Sequence, residues 1–187
     1  MEFLTIFLIA LGLSADSFAV SITSGLVLKK IDFKNAAKIA FSLGFFQALM
    51  PTIGWLIGVK IQKYIESFDH WIAFGLLFII GIKMILESLK SDEEDKNFNP
   101  LNPKVLLMIS LATSIDALVV GISFAFIDYN WFVSGFIIGA VTFIISMLGI
   151  LFGKKMGSRF GSKMEIVGGI ILIFIGVRIL FQHLGYL

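Results

Sequence analysis

The sequence predicts an all-α membrane protein with six transmembrane helices, arranged as two inverted three-helix repeats with both termini outside. Three observations lead to this fold class: the overall hydrophobicity, six apolar stretches of spanning length, and a similarity between the two halves of the chain. Of the 187 residues, 58% are hydrophobic, and the mean hydropathy is +0.97. A soluble domain cannot bury so much apolar surface in one core, so lipid is the expected solvent for most of the chain.

Six stretches are long enough to cross the membrane, since a helix needs about 20 residues to span roughly 30 Å of hydrocarbon. They comprise residues 3–28, 36–59, 71–89, 104–127, 131–153 and 164–183. The first stretch is too long for the apolar region of a secretory signal and has no basic lead-in. It is therefore expected to be retained as a helix.

Positive charges predict the orientation of these spans. Most lysines and arginines in the loops and at the span ends lie on the side where the first, third and fifth spans end, and two lie on the opposite side. The larger group is Lys29, Lys30, Lys34, Lys38, Lys90, Lys96, Lys104, Lys154, Lys155, Arg159 and Lys163, and the smaller is Lys60 and Lys63. Because cytoplasmic loops carry the excess of basic residues, both termini are expected outside. The net charge of +2 then reflects topology, and nothing in the pattern indicates nucleic-acid binding.

The hydrophilic segment "SDEEDKNFNPLNP" divides the chain into two similar halves. The predicted organisation is a first three-helix repeat at 1–90, an acidic cytoplasmic linker at 91–103 and a second repeat at 104–187. "TSIDALVVGI" in the fourth span repeats "LSADSFAVSI" in the first, with the aspartates 100 residues apart. A ladder of small and polar residues in the second span recurs in the fifth at an offset of 95. The rungs are Ala40, Gly44, Gln47, Pro51, Gly54 and Gly58, matched by Gly135, Gly139, Thr142, Ser146, Gly149 and Gly153.

A unit of three spans begins and ends on opposite sides of the membrane, so its second copy must enter with inverted topology. Many secondary transporters use inverted repeats to build mirrored access states around a site at the midplane. The small residues of the two ladders are expected mainly to let helices pack closely in lipid.

Asp16 and Asp116 lie near the centres of the first and fourth spans. An aspartate at the bilayer centre costs roughly 2.5 to 3.5 kcal/mol on insertion scales, so each one needs compensation. Two interpretations account for the pair: protonated aspartates that hydrogen-bond to neighbouring helices, or a site for a metal cation or for protons. The duplication of the acid at matched depth favours the second. The sequence leaves open whether either helix is broken at its aspartate.

Several neutral oxygen donors accompany the aspartates. The supporting polar positions are Ser14, Ser17, Thr23, Gln47, Ser114, Ser123 and Thr142. Pro51 has no amide hydrogen for the Gln47 carbonyl, which makes that carbonyl a further candidate ligand. Oxygen ligands suit Mg²⁺, Ca²⁺ or Mn²⁺ better than soft metals, and a chain without cysteine has no thiolate site.

Lys83 and Arg178 occupy corresponding positions in the third and sixth spans. The simplest interpretation is that their charged ends reach the membrane interface while their stems stay in lipid. Their matched placement leaves a gating or counter-charge role open.

The chain resembles the manganese efflux pump family, which comprises small six-helix bacterial exporters related to the lysine-exporter superfamily. The resemblance covers essentially the whole chain through "SADSFAVSI", "QALMPTIGWLIG", "HWIAFGLLFIIGIKMI", "ATSIDALVVGISFAF" and "EIVGGIILIFIGVRIL". It implies export of Mn²⁺ across a bacterial inner membrane, with Asp16 and Asp116 as the essential acidic positions. Some members carry a glutamate at the position of Gln47, which implies that coordination here depends more on the two aspartates.

The expected function is a multi-pass secondary transporter that exports Mn(II) from the cytoplasm by alternating access, with proton entry as the simplest coupling. No phosphate-binding Gly-Lys motif occurs, so ATP is not the expected energy source, and neither enzymatic activity nor a resident cofactor is expected. Two alternatives stay open: an exporter of a basic amino acid or other small solute, and a passive cation channel. An aspartyl protease would also pair two carboxylates, but its catalytic pattern is absent. The expected partners are a divalent metal ion and membrane lipid, and the oligomeric state is left open.

Overall fold

The structure is a computed structural model that describes residues 2–28, 32–62, 99–126 and 130–156, together with scattered positions within 74–86 and 166–181. Five helices have defined bounds: α1 (Glu2–Val27), α2 (Phe33–Gln62), α3 (Pro103–Thr113), α4 (Ile115–Phe124) and α5 (Trp131–Met156). The described positions within 74–86 and 166–181 are also helical, and no described residue is in a strand.

Four of the six predicted spans are confirmed as helices long and apolar enough to cross a membrane. They are Phe3–Val27, Phe33–Ile61, Pro103–Phe124 and Trp131–Gly153, the third of these combining α3 and α4. Most of the third and sixth predicted spans, including Lys83 and Arg178, lies outside the described residues, as does most of the acidic linker.

The fourth predicted span is interrupted just before its aspartate. The helix begins regularly, because Asn102 caps α3 by accepting a hydrogen bond from the Lys104 amide and Pro103 occupies the first turn. At Ser114 the backbone has φ −100° and ψ 0°, and the Ser114 amide donates to the Leu111 carbonyl at 3.2 Å instead of one residue further back. The first span, in contrast, is one continuous helix through Asp16.

Close contacts at glycines hold the long helices together. α5 packs extensively against both α1 and α2, and α2 also packs against α4. Where α2 crosses α5, a Cβ added at Gly44 would lie 2.8 Å from the Gly139 carbonyl oxygen, and one added at Gly139 would lie 2.9 Å from the Gly44 carbonyl oxygen. Only residues without a side chain allow two backbones to approach so closely, as in many helix pairs in lipid.

The contact between α1 and α5 has a counterpart between α4 and α2. Gly149 of α5 lies against Phe18, and Gly153 lies against Ile22. In the second pair of helices, Gly54 of α2 lies against Leu118 and Gly58 against Ile122. The α2 and α5 residues differ by 95 in number and the α1 and α4 residues by 100, which are the offsets of the sequence repeat.

The outer surface of the bundle is strongly apolar. Phe41, Phe45, Phe132 and Phe136 are each more than half exposed, the last of them 72%. Such large exposed aromatic side chains would be unfavourable in water and are expected against acyl chains. Together with the four apolar helices, they define a multi-pass membrane protein.

Candidate cation site

Both predicted aspartates are at least partly buried within membrane-spanning helices. Asp16 is half-buried near the middle of α1, and Asp116 is only 5% exposed in the first turn of α4. Their chain neighbours Ala15 and Ala117 belong to the same core cluster, which also contains Leu13. The residues next to the two acids therefore belong to one continuous core cluster.

The break at Ser114 gives Asp116 a particular backbone setting. Asp116 is the second residue of α4, so it lies beside the amino end of a helix segment. The dipole of a helix stabilises a negative charge there by about 0.3 to 1 kcal/mol at exposed sites, and by more in partly buried ones. Asp16 has no such setting, because α1 runs through it without interruption.

Four of the supporting hydroxyl groups donate to carbonyl oxygens of their own helix. These bonds are Ser14 to Leu11 at 2.8 Å, Ser114 to Leu111 at 3.0 Å, Thr23 to Ala19 at 3.2 Å and Ser123 to Val119 at 3.3 Å. Each bond in the first half has its partner bond 100 residues later. Their protons are thus used locally, while the oxygen atoms keep lone pairs that can face a cation.

Gln47 is the neutral candidate ligand with the best-defined hydrogen bonding. It is fully buried, and its Nε2 donates to the Leu13 carbonyl oxygen of α1 at 3.0 Å. Because a carbonyl oxygen only accepts, this bond fixes which end of the amide is nitrogen. The Oε1 atom, on the other side of the amide, is buried with no hydrogen-bond partner. A buried amide oxygen in this state is suited to a cation.

Ser17 and Thr142 complete the set of supporting positions. Both are fully buried, and neither hydroxyl has a hydrogen-bond partner. Thr142 occupies the α5 rung that matches Gln47 in α2, so the two corresponding ladder positions share the same unsatisfied state.

Three further buried hydroxyl groups without a partner were not predicted as site residues: Ser24, Ser134 and Ser146. Ser146 was assigned only to the packing ladder. The signal in the sequence was the spacing, because Ser24 follows Ser17 by seven residues and Ser146 follows Thr142 by four, each on the same side of its helix.

Among the described residues, no three His, Asp or Glu side chains form a group that would hold a metal ion. A divalent ion bound here would therefore need neutral oxygen ligands in addition to the two carboxylates, and buried oxygens without a hydrogen-bond partner occur at Gln47, Ser17 and Thr142. Carboxylate, amide and hydroxyl oxygens form the ligand set of hard cations.

The fold and this donor set define a class, namely multi-pass helical membrane proteins with an acidic, oxygen-rich interior. A family model described as "Putative manganese efflux pump" matches residues 30–180. The chain is 48% identical over 186 residues to "Putative manganese efflux pump MntP" of Gloeothece citriformis, covering 100% of this chain and 98% of the relative. A protein of the same printed name from Acetivibrio thermocellus is 48% identical, covering 99% of this chain and 93% of the relative.

A third relative, "Putative manganese efflux pump MntP 2" of Clostridium botulinum, is 45% identical over 197 residues, covering 100% of this chain and 98% of its own. The chain belongs to this manganese efflux pump family, which confirms the resemblance seen in the sequence. No solved structure matches the chain.

Proposed function

We propose that this protein exports Mn²⁺ from the cytoplasm as a secondary transporter of the bacterial inner membrane. The observation that carries the proposal is membership, along the full length of the chain, in a family whose members are named manganese efflux pumps. The buried oxygen-rich interior around Asp16 and Asp116 supports it, because it suits a hard divalent cation.

In this proposal the two carboxylates neutralise the charge of one Mn²⁺. Asp16 and Asp116 supply the anionic oxygens, and Gln47 Oε1, Thr142 Oγ1 and Ser17 Oγ supply neutral ones. The unsatisfied state of these three oxygens supports the assignment, since burying a polar atom without a partner costs about 1 to 3 kcal/mol. A bound cation would offset that cost.

The repeated contacts support an inverted-repeat architecture for this transporter. The pairs Gly149–Phe18 and Gly54–Leu118 are equivalent under the sequence repeat, and Gly44–Gly139 is equivalent to itself. A pseudo-two-fold axis in the membrane plane would then pass close to the Gly44–Gly139 contact. Exchange of two mirrored conformations about such an axis is the basis of alternating access.

The same topology assigns the side on which α1 and α5 end to the cytoplasm, because the excess of lysine and arginine follows those ends. Moving a cation outward against a negative-inside membrane potential costs about 2.3 kcal/mol per charge for each 100 mV. Export of a divalent ion therefore needs a coupled downhill movement, and protons that replace the metal on the aspartates are the simplest one.

Purified protein in proteoliposomes tests the proposal. Vesicles loaded with Mn²⁺ and a metal-quenched dye should lose Mn²⁺ at a saturable rate. The inhibition of this efflux by excess Cd²⁺, Fe²⁺, Mg²⁺ or lysine then ranks the four as competing substrates. Saturable Mn²⁺ flux that lysine does not inhibit is expected. Flux that never saturates would instead favour a channel, and inhibition by lysine alone would favour an amino-acid exporter.

A further inference from the structure

We propose that the interface between α1 and α5, at the buried hydroxyls of Ser17, Ser24, Thr142 and Ser146, is the path by which a hydrated divalent cation passes from the cytoplasm to the aspartate site. This inference rests on the proposed function and adds to it the route of entry.

The hydroxyl groups lie along a helix contact that leads away from the aspartates. α1 meets α5 between Phe18 and Gly25, where a Cβ on Gly149 would lie 2.8 Å from Ser21 Cβ and one on Gly153 would lie 2.7 Å from the Ile22 carbonyl oxygen. Thr142 and Ser146 lie on the same side of α5 as these glycines, between Gly139, which packs against Gly44 of α2, and Gly149, which packs against α1.

The hydroxyls of this interface are shielded from solvent and unsatisfied at once. Ser17, Ser24, Thr142 and Ser146 are each 0% exposed, and none of their oxygen atoms has a hydrogen-bond partner. Ser21, between the two α1 residues, bonds to the Ser17 carbonyl at 2.6 Å, so back-bonding to the helix is available on this face. Ser17 and Ser24 do not use it, which leaves their oxygens for another partner.

The equivalent interface between α4 and α2 carries no such hydroxyls. The repeat places Ala117 where α1 has Ser17, Phe124 where it has Ser24, and Pro51 where α5 has Ser146. There the Gly121 position lies directly against the Pro51 backbone, and Phe124 is 2% exposed in the apolar core. We call the α4–α2 contact the dry interface, since among the described residues of these two helices its one unsatisfied side-chain atom is the Gln47 oxygen, at the position equivalent to Thr142.

The two ends of the bundle also differ in aromatic packing, and this difference again favours opening at the cytoplasmic end. Trp55 of α2 and Trp131 of α5 stack with their ring centroids 5.2 Å apart and an interplanar angle of 20°. The repeat-related positions are Ile150 and Ala36, which lie in one cluster of smaller side chains. The end of the bundle near the tryptophans has more aromatic contact to lose on opening.

Separation of the helices has opposite consequences at the two interfaces. Opening α1 from α5 lets water reach four unsatisfied hydroxyl groups, which are costly to keep buried without a partner. Opening α4 from α2 exposes mostly apolar side chains and backbone, because Gln47 is the one described residue of these two helices with a buried, unsatisfied side-chain oxygen. A divalent ion gives up its hydration shell reluctantly, and oxygen atoms spaced along a path can replace lost waters step by step. In the structure the path is closed, because Gly25 lies against the Ile150 backbone.

The chain has no cysteine, so single cysteines can probe this path directly. Ser24→Cys and Ser146→Cys lie on it, and Ala125→Cys is the matched control on the dry interface, where it faces Gly58. Each variant is reacted with a membrane-impermeant cationic thiosulfonate in vesicles of known orientation. From the cytoplasmic side, both serine-site variants should react about tenfold faster than Ala125→Cys reacts from the outside, the side nearer to it, as expected where local opening admits water, and Mn²⁺ should slow them.

The same vesicles report wild-type Mn²⁺ efflux, which separates the two claims. Absence of wild-type efflux would overturn the proposed function. Wild-type efflux with equal labelling of the three cysteines, or labelling of Ser24→Cys only from the outside, would overturn the entry path alone.

A second set of variants does not depend on cysteine. The double variant Ser24→Ala and Ser146→Ala should slow Mn²⁺ efflux several-fold without changing the Kd for Mn²⁺ in detergent. The control is Ser134→Ala, which removes an unsatisfied hydroxyl elsewhere on α5 and should transport like the wild type. An unchanged rate in the double variant contradicts the path.

Discussion

The side-chain amide of Gln47 in α2 is hydrogen-bonded to the main chain of α1 at Leu13, three residues before Asp16, with an Nε2–O distance of 3.0 Å. α1 and α2 otherwise make few contacts with each other, since both pack mainly against α5. This bond therefore connects the Gln47 rung of the α2 ladder to the segment of α1 that carries Asp16.

Replacement of Gln47 should impair transport more than its burial alone would suggest. Gln47→Leu keeps the volume but removes both the donor to Leu13 and the buried oxygen, so we expect Mn²⁺ efflux to fall by about fivefold to 150-fold, as for loss of about 1 to 3 kcal/mol of binding. Gln47→Glu retains an oxygen at the site and should keep part of the activity. Efflux from proteoliposomes measures both.

Thr52→Val is the matched control for this prediction, because the Thr52 hydroxyl makes only a long bond of 3.4 Å within α2. Near-normal efflux by Gln47→Leu would remove Gln47 from the site.

Close helix packing predicts that added methyl groups in the ladder destabilise the protein. At Gly54 a Cβ would clash with the Leu118 backbone, whereas at Gly75 nothing lies within 4 Å. Gly54→Ala should lower the free energy of unfolding by about 1 to 3 kcal/mol through overpacking. Gly75→Ala should be neutral or stabilising by up to about 1 kcal/mol, because alanine is the better helix former. Thermal unfolding in detergent compares the two, and equal melting temperatures would contradict the close contact.

The hydroxyl groups of Ser42 in α2 and Ser110 in α3 are hydrogen-bonded to each other at 2.8 Å. A double-mutant cycle with alanine at both positions should give a coupling free energy of about 0.5 to 1.5 kcal/mol. Ser42 paired with Ser134, whose hydroxyl has no partner, should show additive effects. Additivity in both cycles would mean that the α2–α3 bond contributes nothing to stability.

Proton coupling predicts a response to pH gradients. Vesicles loaded with Mn²⁺ should lose it faster when the outside is made more acidic, because protons would enter as the metal leaves the aspartates. A pH-sensitive dye should report acidification inside at the same time. An ionophore that collapses the gradient should abolish the acceleration, and a rate indifferent to the gradient would exclude protons as the coupling ion.

The spans and the position of the acids could be predicted from the sequence because lipid imposes simple requirements on length and charge. α1, α2 and α5 match their predicted spans to within a few residues at each end. Whether the helices are broken at their aspartates stayed open from the sequence, and the structure shows a break at Ser114 before Asp116 and none in α1.

The break coincides with a local difference between the two motifs. The motifs around Asp16 and Asp116 are alike, and Ser14 and Ser114 form the same bond three residues back. Thr113, however, donates its hydroxyl to the carbonyl oxygens of Ile109 and Ser110 at 2.9 and 3.3 Å, whereas Leu13 at the matching position has no hydroxyl. This additional hydroxyl contact on the Ser110 carbonyl accompanies the break, where the Ser114 amide bonds to Leu111.

The sequence predicted Ser17 and Thr142 as polar site positions, but it could not show which hydroxyl groups lack a hydrogen-bond partner. A helix surrounded by lipid has apolar residues on its outer and inner faces, so periodicity does not distinguish the side of Ser17 or Ser24. The choice of each hydroxyl between its own helix and another partner depends on the neighbouring helix, which only the packed structure supplies.

Binding of Mn²⁺ to purified protein, followed by electron paramagnetic resonance of the free ion, tests the shared aspartate site most directly. The wild type should bind one Mn²⁺ per chain, and Asp16→Asn and Asp116→Asn should each lose that binding while they remain folded, because one carboxylate cannot neutralise a buried divalent ion. Undiminished binding in either variant would contradict a site that both acids form.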